Sequence, residues 1–106
     1  DDEALAARVL ATTRRLDHLP DELLLTLAVR IASSSCAALH HAASLHTPLA
    51  AAVAVLMMKH SQGSKASFEA GLGVGHASAY TWARAAVTSP LRCLRLSLWA
   101  LQHREH

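Results

Sequence analysis

Forty of the 106 residues are alanine or leucine, 22 and 18 respectively, while glycine and proline together number seven. These are the strongest apolar helix formers, so a chain this rich in them and this poor in breakers must build its interior from helices. Aromatic residues make up 4% of the sequence and charged residues 17%. That composition excludes disorder, collagen-like repeats and most all-β folds. The length fits one helical domain spanning 1–106 or a fragment of a larger helical array. The longest uncharged apolar run, 49–58, has ten residues, about half the roughly 20 that a bilayer-spanning helix needs. No membrane span is expected.

Breaks in the apolar pattern divide the chain. A first helix is expected from Asp1-Asp2-Glu3, whose carboxylates oppose the helix dipole, to about residue 16, where Asp17-His18-Leu19-Pro20 stops it. A second follows Pro20, with Leu23, Leu24, Leu27 and Ile31 at helical spacing up to the serine run 33–35, forming a hairpin with the first. A third covers 35–46, with Cys36, Leu39 and Ala43 on one stripe, and Thr47-Pro48 marks the next turn. Residues 49–59 are apolar all round, which describes a helix buried on most sides. The clearest loop spans 60–65, and Gly71, Gly73 and Gly75 leave the next stretch open between a short frayed helix and a loop. Helix resumes over 77–87, stops at Thr88-Ser89-Pro90, and resumes over 91–103. The expected fold is all-α, about six short helices stacked as antiparallel helical hairpins in a solenoid or a small bundle.

Charge is uneven. Residues 1–22 carry a net −3, and the remainder carries +5 with only Glu69 and Glu105 as acids. The C-terminal part therefore presents a positive field that a polyanion can use, though a solvated face has the same signature. The last helix concentrates it. Leu91, Leu94, Leu98 and Leu101 form a seam expected to pack, while Arg92, Arg95, Trp99 and Gln102 repeat the same spacing beside it. Guanidinium groups at this spacing can meet phosphates, and the indole can stack on a base. The alternative is that Trp99 packs against the preceding helix or another chain, with the arginines covering its edge. Lys59, Lys65 and Arg84 are secondary cationic candidates.

Three segments of the form helix, break, helix begin at Leu10, Leu39 and Thr81, offset by 29 and 42 residues, within the range of paired-helix solenoid units. The pieces Leu16-x-His18, Asp21-Glu22-Leu23-Leu24, Trp82-Ala83-x-Ala85 and Leu98-Trp99-Ala100-Leu101 resemble the helical repeats of organellar RNA-handling proteins. These are the octotricopeptide-repeat family and the repeats ahead of the RAP domain in FAST-kinase-like proteins. The second copy departs from that pattern, with His40 where the tryptophan would stand, and no RAP domain is visible. The resemblance implies a mitochondrial or plastid protein associated with RNA, including a mitochondrial ribosome component. The start at Asp1 in place of methionine fits a removed targeting segment or a fragment.

Chemistry is sparse. Cys36 and His40 stand one helical turn apart, where an imidazole can help deprotonate a thiol. Cys36-x-x-x-His40 resembles half of the signature of alkylhydroperoxidase-like helical proteins, but Ser33 occupies the position of the first cysteine. Cys36, His40 and Cys93 with His103 or His106 have zinc-ligand side chains but the spacing of no compact finger. Residues 72–82 have the spacing of a helix-turn-helix, with 75–81 facing DNA. The 71–75 glycines lack the preceding strand and following lysine of a phosphate loop, and no paired carboxylates stand at catalytic spacing. The expected function is non-catalytic, with no cofactor and no metal: an RNA-associated helical element of the mitochondrial matrix, contacting RNA and other proteins of a larger complex. The alternatives are a protein-binding helical scaffold and, behind it, a thiol peroxidase-like enzyme using Cys36 and His40.

Overall fold

The computed structural model describes residues 1–61 and 65–103, apart from the side chains of Thr13 and Asp17. The core of the expected loop, 62–64, and the candidate ligand His106 lie outside the described residues. Among the described residues the secondary structure is entirely helical. The elements are α1 (Asp2–Ala11), a 3₁₀ turn (Thr13–His18), α2 (Asp21–Ala32), α3 (Ala37–Ser44), α4 (Thr47–His60), α5 (Lys65–Leu72), α6 (Ala79–Thr88) and α7 (Pro90–Gln102).

The first helix starts as its acids dictate, with the Asp1 carboxylate accepting the Ala4 N–H at 2.7 Å. It ends at Ala11, five residues before the expected stop. The Thr12 hydroxyl donates to the Arg8 carbonyl at 2.7 Å, and two consecutive β-branched residues weaken helix propagation. The tighter turn that follows carries Leu16 into the core, where it is buried.

Helix α4 is the axis of the molecule. Leu49, Ala51, Ala52, Val53, Val55, Leu56 and Met58 are all buried, and the helix packs against α2, α3, α6 and α7. A helix apolar on every side can satisfy that pattern only by being enclosed. Its start is capped by the buried His46, whose Nδ1 accepts the Leu49 N–H at 3.2 Å. Of the two arrangements open to the helices, this is the bundle: α1 rests on α3, α5 on α7, and α6 bridges α2, α4 and α7.

Two polar ties fix the first half of the bundle. His40 Nε2 lies 2.9 Å from the Ile31 carbonyl and 2.8 Å from the Ser34 carbonyl, fastening α3 to the end of α2. The Asp2 carboxylate accepts the Ser34 hydroxyl at 2.5 Å and faces Arg30 at 3.4 Å. That ion pair is solvent-exposed and contributes under about 1 kcal/mol. In the second half, Phe68 of α5 and Trp82 of α6 meet with ring centroids 4.7 Å apart, both fully buried.

The glycine-bearing stretch resolves into a full helix with a defined end. Gly73, at φ +75°, donates its N–H to the Ala70 carbonyl, and Val74 donates to the Glu69 carbonyl at 3.0 Å. This is a Schellman closure, and it needs a left-handed residue where glycine stands. Gly71 lies where α5 approaches α7, since a Cβ there would stand 3.0 Å from Leu96 Cδ2.

Candidate functional site

Pro90 occupies the first turn of α7, where a missing N–H costs nothing, and the helix runs from there across α4. Its inward stripe is Cys93, Ser97 and Ala100, all fully buried. The Ser97 hydroxyl is satisfied by donating to the Leu94 carbonyl at 2.9 Å, so its burial leaves no polar group unpaired. The expected leucine seam packs only in part, with Leu94 and Leu101 against the core. Leu91 is 63% exposed and Leu98 51% exposed, while Leu94 and Leu101 are half-buried. The fully buried positions of α7 are thus the small ones, and the leucines beside them are covered only in part.

The structure leaves the leading candidates on the surface. Arg92, Arg95, Trp99 and Gln102 are exposed along one side of α7. The Trp99 ring stacks on His103 at 4.7 Å, and His103 Nδ1 lies 2.8 Å from the Trp99 carbonyl. An Arg92 guanidinium N–H donates to the Gly71 carbonyl near the end of α5, a favourable place for a cation against the helix dipole. Arg95 makes no hydrogen bond or ion pair with any described residue, and Leu91 and Leu98 flank it on the exposed side.

The secondary candidates do not join them. Lys59 is half-buried: its ammonium donates to the Ala77 carbonyl at 2.5 Å and sits 4.6 Å from the centroid of the Trp82 ring. Arg84 pairs with Glu22 at 3.4 Å across α6 and α2. Neighbouring Tyr80, ahead of Asp21 and Glu22, pushes its guanidinium still higher above the ordinary value. Lys65 is exposed on α5 and lines a cleft of about 570 Å³ with Glu69, Gly73, Val74, Gly75 and His76. In that cleft Glu69 is committed to the backbone, accepting the Ala77 N–H at 3.0 Å.

The other candidate chemistries fall elsewhere in the fold. His40 Nε2 is occupied by two backbone carbonyls, and Cys36 stands half-buried at the cap of α3. Among the described residues no three histidine, cysteine or acidic side chains come together as a metal site. The helix-turn-helix spacing does not yield a reading helix: α6 begins only at Ala79, and Trp82, Ala83 and Ala86 turn it into the core. No helix among the described residues is long and apolar enough to cross a membrane. Sequence reasoning left the Arg92, Arg95 and Trp99 side free, as it is, but missed the exposure of Leu91 and Leu98; the signal is the small-residue spacing of Cys93, Ser97 and Ala100, which marks the fully buried side. Comparison with protein-family models, with curated proteins and with solved structures finds no match for this chain.

Proposed function

We propose that this chain is a non-catalytic helical scaffold element that docks a protein partner on the outer face of α7. One observation carries the reading. Leu91, Leu98 and Trp99 stand 63%, 51% and 44% exposed on a single helix, while Leu94, Leu96 and Leu101 of the same helix pack against the core. Exposed apolar side chains that recur along one side of a helix offer a partner helix a stripe to pack against. Docking of this kind draws on the hydrophobic effect and is insensitive to salt. The test is sedimentation equilibrium of the isolated chain at low and high salt. Concentration-dependent association is expected that persists in high salt and disappears in the Leu91→Ser/Leu98→Ser double variant. A chain that stays monomeric throughout, or whose association ignores both substitutions, removes the reading.

A second reading is favoured by the alignment of Arg92, Arg95 and Trp99 on the exposed side: an RNA-associated element of a mitochondrial complex. It predicts binding to a structured RNA such as bulk transfer RNA. Two phosphate contacts give a log–log salt slope of about −1.4 to −1.8, which flattens when Arg92→Ala and Arg95→Ala are combined. Affinity unchanged across the salt series removes it.

A further inference from the structure

Resting on the docking reading above, we infer that the occupant of the α7 face is an acidic amphipathic helix of a partner protein. Leu91 and Leu98 are seven residues apart, two helical turns, with Arg95 between them and Arg92 and Trp99 along one flank. That spacing receives a helix lying along α7, whose own apolar residues at i, i+3 and i+7 fall between the two leucines.

The charge of the rim sets the sign of the partner. No acidic residue occurs between 90 and 102, so both charged side chains of α7 are arginines. Two other arginines do find carboxylates within the fold, Arg30 at Asp2 and Arg84 at Glu22, each at 3.4 Å. Arg92 and Arg95 have no carboxylate partner among the described residues. Arg92 is also held in place: one N–H is spent on the Gly71 carbonyl, and the planar group keeps further donors in a fixed orientation for a carboxylate. A cationic partner helix would set like charges side by side across the interface; a second copy of α7 meets the same repulsion, so self-association of the isolated chain is the weaker contact and is favoured by the screening of high salt. A polyanion such as RNA would meet the arginines but leave the two leucines between and beside them in water. A helix with leucines at its centre and glutamates on its flanks covers both kinds of group.

The probe is a designed helical peptide of about 20 residues, long enough to hold helix in water, with Leu at i, i+3 and i+7 and Glu on both flanks. A companion peptide replaces every Glu with Lys. Binding of each to the full chain is read by fluorescence anisotropy. The wild type is expected to prefer the Glu peptide by about tenfold, the effect of two rim ion pairs. In Arg92→Glu/Arg95→Glu the preference should invert. Because Arg92 also anchors α5, the single Arg95→Glu variant provides the same test, a reduced preference, without disturbing that contact. Equal affinity for both peptides, with both lost in Leu98→Ser, overturns the acidic partner while leaving the docking face intact. Binding of neither peptide, or a preference that Arg95→Glu does not move, also overturns it. Displacement of the Glu peptide by transfer RNA that binds the Leu91→Ser/Leu98→Ser variant undiminished assigns the face to RNA and overturns it as well.

Discussion

Replacing Gly73 by alanine isolates one backbone effect at the cleft-lining turn. Gly73 has φ +75°, and a Cβ built there meets nothing within 4 Å. Contact with neighbours therefore contributes nothing, and the backbone alone decides the sign. Holding an L-residue in the left-handed region costs about 1–2 kcal/mol. Alanine also restricts the unfolded chain, which favours folding by about 0.4–1 kcal/mol. The difference is a net destabilisation on the order of 0.5–1 kcal/mol, and each 1 kcal/mol lowers the thermal midpoint of a domain near this size by about 4–8 °C. Gly75→Ala is the control, since that site is equally open and its φ is not positive. Only the unfolded-state term then remains, and the midpoint should rise. At Gly71, helix propensity gains about 1 kcal/mol but the new methyl meets Leu96 Cδ2 at 3.0 Å, so the change should be close to neutral. Thermal melts followed by far-ultraviolet circular dichroism rank the three. A Gly73→Ala variant that melts at or above the wild type, or above Gly75→Ala, refutes the Schellman closure of α5.

Two further perturbations probe the second half of the bundle. Lys59→Met removes an ammonium from both the Ala77 carbonyl and the Trp82 ring; it should cost about 1–2 kcal/mol in urea denaturation, with Lys59→Arg recovering part, and an unchanged midpoint would show that the cation is idle. Burial pushes the Cys93 thiol above its ordinary value of 9.0, with Arg92 pulling weakly the other way. Because the unfolded thiol ionises first, its contribution to stability is complete below that value and is lost as pH rises through the raised folded one. Unfolding free energy should fall more steeply at alkaline pH in the wild type than in Cys93→Ala, and parallel curves would contradict the burial of this thiol.

Element positions were legible because local chemistry sets them. Proline at 20, 48 and 90, acids at 1–3 and 21–22, and the serine runs mark helix ends within a few residues. The enclosed character of α4 also follows from its uniform apolarity. The end of α1 and the helical state of 65–72 did not follow, for different reasons. At Thr12 a hydroxyl competes with the backbone ladder, which apolar spacing does not register. In α5 the glycine at 71 is tolerated because α7 needs the space, and the glycine at 73 is a helix stop, not a helix breaker. Glycine content alone cannot separate these roles.

The candidate site was legible in its residues and illegible in its orientation. Lys59 ends an apolar helix beside His60 and reads as a surface cation, yet the turn around Ala77, 18 residues later, closes over it. Arg84 finds Glu22 across 62 residues, a meeting that depends on how α2 and α6 cross. In α7 the four leucines and the three small residues both recur at helical spacing, so periodicity offers two packing faces and does not choose between them. The packing divides between them: Cys93, Ser97 and Ala100 are fully buried, and Leu94, Leu96 and Leu101 pack partly against the core. Leu91 and Leu98 are left outside, 63% and 51% exposed. The proposed docking partner would account for that exposed pair, and the Leu91→Ser/Leu98→Ser variant tests whether it does.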